Sequence, residues 1–180
     1  MMRSANIGRM KMTHHTNKFL LMLALFLFNG FTEAKIPNQD IWRFITQSSA
    51  SLKSLSVAHP EQFPLALTLI TQNAFINVYH ASSLKLKGDA KITDIELRIS
   101  NISGGIAPFL SFSPAGKCIT PDDVRKQYPA IKLSDYPRGQ SENEVTSYTS
   151  SPDPEGQVIT FSFAVSNPDC LSKVIITAKE

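Results

Sequence analysis

Beyond residue 34 this sequence has no excess charge of either sign. The whole chain carries 18 Lys and Arg against 15 Asp and Glu. Residues 1–34 hold Arg3, Arg9, Lys11, Lys18 and Glu33, so fourteen of each sign remain and the rest of the chain is neutral. A neutral chain lacks the basic footprint that nucleic-acid binding requires, and the sequence pI near 8.9 owes its basic side to the leader. Cysteine is scarce as well. Cys118 and Cys170 are the only two, with neither a Cys-x-x-Cys nor a Cys-His pattern to activate a thiol. Past residue 34 there are two histidines, His59 and His80, neither with a second ligand at a metal-binding interval. Both read as structural. There is no Gly-x-Ser-x-Gly elbow and no phosphate-cradling glycine loop. Asp122 and Asp123 are adjacent, point in different directions on a helix, and are explained by its start. No catalytic set, metal site or cofactor site is expected.

What the sequence does have begins with its leader. A basic stretch to Lys18, an unbroken apolar run from Phe19 to Phe28 and a small residue at Ala34 form the pattern of a cleavable secretory signal. The run is too short to span a bilayer, and nothing after Ala34 approaches that length. Cleavage after Ala34 is expected, and Met12 is followed by a complete signal of its own, so either Met1 or Met12 can be the start. The expected location is the periplasm, with no membrane attachment after cleavage. In that oxidising compartment Cys118 and Cys170 are expected to pair, closing a loop worth roughly 4 kcal/mol of unfolded-state entropy.

The chain after the leader alternates between two signals. Ile41, Phe44, Ile45, Leu52 and Leu55 recur at helical spacing, with Asn38 able to cap and His59-Pro60 ending the helix after about Val57. Leu65 to Ile70 is a short apolar run that periodicity leaves open between helix and strand, so 61–72 is unassigned. Period-two patterns then mark strands from Asn73 to His80, over 84–87, over 92–100 and over 106–113. Strand 92–100 carries the clearest pattern, with Ile95, Leu97 and Ile99 alternating against Asp94, Glu96 and Arg98. A second helix starts at Thr120-Pro121-Asp122-Asp123, with Thr120 as cap, and ends at Tyr128-Pro129. A turn-rich loop covers 134–141, and strands are expected at 143–150, 157–166 and 172–178.

Ile-Ser-Asn at 99–101 is echoed by Val-Ser-Asn at 165–167, and Tyr128-Pro129 repeats the helix stop of His59-Pro60. Duplication and coincidence both account for the echoes. The expected fold class is α+β, two tandem helix-plus-three-strand units forming an antiparallel sheet with helices on one face. The domains would be a signal peptide at 1–34, a first unit at 35–115 and a second, disulfide-bearing unit at 116–180. The covered face would carry Ile95, Leu97, Ile99, Phe161, Phe163 and Val165; the open face would carry Asp94, Glu96, Arg98, Thr160 and Ser162. That open face suits another protein, and also reads as an ordinary solvated face. The loop Ser134–Ser141 is a second candidate because Tyr136 and Arg138 are of the types that anchor interfaces. It also reads as a plain hydrophilic loop.

From Asn38 to Lys179 this order of elements, with the Thr120-Pro-Asp-Asp-Val124 start and the Ser-Asn echo, resembles the small secreted inhibitors of the beta-lactamase inhibitor protein kind. Those are tandem repeats of a helical segment plus antiparallel strands whose joined sheet grips an enzyme. One cysteine pair confined to the second unit departs from one per repeat, and no contact residue carries over. The resemblance extends to periplasmic immunity proteins that cap a cell-wall-degrading toxin. It implies a non-catalytic binder of a secreted enzyme, monomeric or a small homo-oligomer, with Asp94, Glu96, Arg98, Tyr136 and Arg138 as candidate partner-binding residues. Two other readings stand beside it: an envelope hydrolase using His80, and a structural or adhesive envelope subunit.

Overall fold

A helix opens the computed structural model, which describes residues 39–55 and 58–178. The leader, its cut after Ala34 and the choice between Met1 and Met12 lie outside those residues. So do the expected cap Asn38 and the expected helix end near Val57. In helix α1 (Ile41–Ser54) the cap is Asp40, whose carboxylate accepts the Arg43 N–H at 2.9 Å. Its buried stripe is Ile41, Phe44, Ile45, Ser48 and Leu52, the three-to-four spacing of an amphipathic helix. Leu55 is already extended.

The chain continues as β1 (Leu67–Gln72), β2 (Ile76–Ala81), the two-residue β3 (Leu84–Lys85), β4 (Lys91–Ser100) and β5 (Phe109–Ala115). Helix α2 (Pro121–Gln127) precedes β6 (Lys132–Asp135), β7 (Val145–Thr149), β8 (Gln157–Ala164) and β9 (Leu171–Ala178). In α2, Thr120 and Asp123 exchange hydrogen bonds as a capping box, with Pro121 in the first turn. All strand pairs are antiparallel, in the order β1-β2-β4-β5-β9-β8-β7-β6, with β3 beside β4.

This overturns the expected α+β class of two helix-plus-three-strand units. Among the described residues nine strands form one sheet and the fold is mainly β. Two segments account for much of the difference. The unassigned 61–72 holds β1, and the first residues of the expected loop, Ser134 and Asp135, belong to β6. Both strands lie at the ends of the sheet and bury almost nothing, so neither has a dry face to write a period of two. Packing is shared as well. Phe44 of α1 meets Phe112 of β5 edge to face at 5.2 Å. Farther along, Ser49 bonds the Gln157 side chain, and Lys53 bridges Asp153 and Glu155 at 2.6 and 2.8 Å. The first helix therefore reaches the turn before β8, and one core cluster joins α1, β4, β5, β8 and β9.

Of the four register breaks among the described residues, two shape the middle of the sheet. In β4 Ile95, Leu97 and Ile99 are buried, but so is Ile92, at an odd interval from them. Asp94, at φ 50°, supplies the extra residue of a bulge against β5 between Thr93 and Glu96. In β8 the register shifts between Ser162 and Phe163, and Val165, expected in the core, lies past the strand end and is exposed. The Cys118–Cys170 disulfide, Cα to Cα 5.1 Å, ties the segment before α2 to the start of β9.

Candidate functional site

The sheet face away from the core is built by cross-strand register. His80 pairs with Glu96, Glu96 with Ser111, Ser111 with Ile175, Ile175 with Thr160, and Thr160 with Thr149. One row of side chains therefore crosses six strands on the open face, since paired residues point the same way. Its polar end is charged and its far end is hydroxyl-rich. Thr149 and Thr160 are bonded at 2.8 Å, and Ser147 and Ser162, one row along, at 2.9 Å.

At the charged end the residues contact one another. The Glu96 carboxylate lies 3.3 Å from His80 Nε2 and accepts from Arg98 Nε at 2.7 Å. Arg98 lies on the same face two residues along, and its guanidinium sits over the Phe109 ring at 5.1 Å. Partial burial alone would raise the Glu96 pKa; the hydrogen bonds from Arg98 and then His80 outweigh it and hold the carboxyl below its usual range. Glu96 is thus an anion throughout the neutral range. These groups, with Asp94, Ser111 and Lys173, line a shallow hollow of about 480 Å³.

The sequence candidates fall into two separate places. Glu96 and Arg98 touch, and Asp94 borders the same hollow from the bulge. Tyr136 and Arg138 lie past β6 at the far end of the sheet, five strand spacings from β4, about 24 Å. Their loop is ordered from within. Glu144 accepts the backbone N–H groups of Arg138, Gly139 and Gln140 at 2.7, 2.8 and 2.7 Å. The Gln140 and Gly139 bonds lead in pulling its pKa down. Tyr136 and Arg138, with Asp135 and Glu144, border a second depression.

Several contributors were not singled out from sequence. Lys173 was legible from the alternation of β9, where Val174 and Ile176 face the core. Phe109 and Ser111 needed the β4–β5 register, which no local pattern supplies. Glu144 needed the closure of its own loop. His80, read from sequence as structural and, in the alternative reading, as the working residue of an envelope hydrolase, lies in the hollow beside Glu96. The row places the carboxylate between imidazole and hydroxyl, with the His80 and Ser111 backbones two strand spacings apart, about 9.6 Å. Ser82 and Lys85 carry a Ser-x-x-Lys spacing, which brings hydroxyl beside amine on a helix; here they straddle the start of β3. No protein-family model, curated protein or solved structure matches the chain.

Proposed function

We propose that the protein is a non-catalytic periplasmic binder of another protein, an inhibitor or immunity protein that neutralises a secreted, cell-wall-degrading enzyme. The reading rests on the preassembled His80–Glu96–Arg98–Phe109 group on the face turned away from the core. Charged groups already held in place lose little side-chain freedom when a partner arrives. Arg98 spends two of its nitrogens on Glu96 and keeps donors for a partner's carboxylate. An arginine braced on an aromatic ring is also the composition of interface hot spots. The second patch, at Tyr136 and Arg138, falls within reach of the same partner. A standard interface covers about 800 Å² per side, roughly 28 Å across, against about 24 Å between the patches.

The test is capture followed by inhibition. Tagged processed chain, exposed to the envelope fraction of its own cells, should retain one stoichiometric partner whose hydrolysis of peptidoglycan falls as the chain is added. Arg98→Ala should weaken that complex by tenfold or more with melting unchanged, as a hot-spot truncation of at least ~1.4 kcal/mol does. Recovery of general chaperones alone, or full inhibition by Arg98→Ala, would sink the proposal. Peptidoglycan hydrolysis by the chain alone, lost in His80→Ala, would favour the enzyme reading instead.

A further inference from the structure

Among the described residues the sheet is open, and β1 and β6 are its two outer strands. Outer strands expose a row of unpaired backbone donors and acceptors, and proteins blunt them with charge, proline, bulges or brevity. β6 uses all four, being four residues long, bulged between Leu133 and Asp135, carrying Lys132 and Asp135, and followed by Pro137. β1 has a bulge but neither charge nor proline in six residues, Leu-Thr-Leu-Ile-Thr-Gln. From Phe63 to Tyr79 there is no Lys, Arg, Asp, Glu or His at all. Yet the region is exposed: Leu69 is 46%, Ile70 54% and Phe75 66% accessible.

We infer that β1 is a pairing edge whose occupant is a second copy of this chain, joined antiparallel, β1 to β1, about a two-fold axis. Charge favours a copy as occupant, because any charged residue near a two-fold axis confronts its own image, and this run has none. The bulge supplies the stronger reason. Thr68 and Thr71 face the open side, opposite His80 and Val78; Leu67 and Gln72 face the core side, opposite Ala81 and Asn77. Ile70 is the extra residue. An axis between Leu69 and Ile70 sets Thr68 against Thr71 of the second copy, both on the open side. It sets Leu67 against Gln72, both on the core side. A regular six-residue strand centred there would oppose residues from opposite faces, since side chains alternate. The bulge lets the flanks of all six residues of β1 pair with like faces together about that central axis. The two open faces would then lie on one continuous sheet. This goes beyond the proposed function and does not depend on it.

Sedimentation velocity of the processed chain from micromolar to submillimolar concentration tests it. The expected result is a shift from one to two chain masses, with amide exchange across 67–72 slowing as the dimer fills. Ile70→Lys places two ammonium groups at the axis and should leave a monomer that melts like the wild-type monomer. Leu133→Lys, on the other outer strand, should dimerise as wild type does. Should Ile70→Lys fail to fold, Thr68→Lys meets Thr71 of the second copy and gives the same reading. A wild type that stays monomeric throughout overturns the inference. So does a dimer that survives these lysines, or one whose amides at 67–72 exchange as freely as the monomer's.

Discussion

Removing the Cys118–Cys170 bond should cost stability almost wholly through the unfolded chain. The residues it joins are 52 apart, and the chain-entropy relation for a loop of that length gives about 4 kcal/mol at room temperature. In the fold, a second link spans the same gap. The Leu171 N–H donates to the Ile119 carbonyl at 2.8 Å, and both side chains are buried. In Cys118→Ala/Cys170→Ala that backbone bond and its apolar cover should persist, so the native geometry should survive while the unfolded ensemble expands. Unfolding entropy is about 2.1 cal/mol/K per residue. Over the roughly 140 residues described, that is ~0.3 kcal/mol/K, so Tm should drop by about 13 °C. The denaturant m-value should rise, because the unlinked chain exposes more surface. Thermal and urea melts of both forms, with amide exchange at Leu171, check the two halves of the reasoning. Equal melting temperatures would refute the loop entropy. A Tm loss accompanied by rapid exchange at Leu171 would show instead that the bond holds the native contact in place.

Three further outcomes follow from single residues. Gly116 sits at φ 81°, and a Cβ there would strike the backbone carbonyl of Asp89; Gly116→Ala should lose at least about 1–2 kcal/mol in a urea melt, the left-handed penalty alone. The Ser48 hydroxyl is fully buried on the core stripe of α1 and has no hydrogen-bond partner among the described residues, so Ser48→Ala should be neutral or stabilising by up to about 1 kcal/mol on the same assay. Glu144 has its pKa lowered by backbone N–H bonds, led by Gln140 and Gly139; its contribution is present above the ordinary value of 4.5 and lost as pH falls through the lower folded value. Protection of the 138–140 amides, relative to their intrinsic exchange at each pH, should therefore be high at neutral pH and be lost once the Glu144 carboxylate is protonated in acid, and Glu144→Ala should abolish the protection at neutral pH.

Where an element had both a dry face and a local punctuation mark, the sequence was enough to read it. The Thr120-Pro121-Asp122-Asp123 start became a capping box because all its groups lie within one turn. Glu96 and Arg98 reached the open face because three buried residues pin the opposite side of β4. What failed were inferences from likeness across the chain. The two Ser-Asn sites do different work: the Asn101 side chain donates to Asn73 and Asn77, whereas Asn167 closes a turn through its backbone N–H to Ala164. The outer strands β1 and β6 escaped notice because an edge with no buried face leaves no alternation. The Glu96 cluster was half legible, since its strand mates on β4 share a pattern while His80, Phe109 and Lys173 arrive through pairing with other strands.

The hollow itself traces to one irregularity that the sequence does write. Lys91-Ile92-Thr93-Asp94-Ile95 separates two core isoleucines by three positions, which a strand of period two cannot bury together. A bulge resolves the conflict, and it needs a residue that accepts a left-handed backbone. Asp94 does so at φ 50°, as aspartate can and a β-branched neighbour could not without strain. The two sides of β4 respond differently. On the β5 side the register slips by one residue. On the other side β2 and β3 keep one register with β4, Ala81 opposite Ile95 and Leu84 opposite Ile92, and simply break opposite Thr93 and Asp94. Bulges increase local twist, and beside this one His80, Glu96, Arg98 and Phe109 line a concave surface. The residue expected to bind, Asp94, thus acts first through its backbone. It sets the parity that sends Ile92 and Ile95 into the core together and leaves Glu96 and Arg98 facing out.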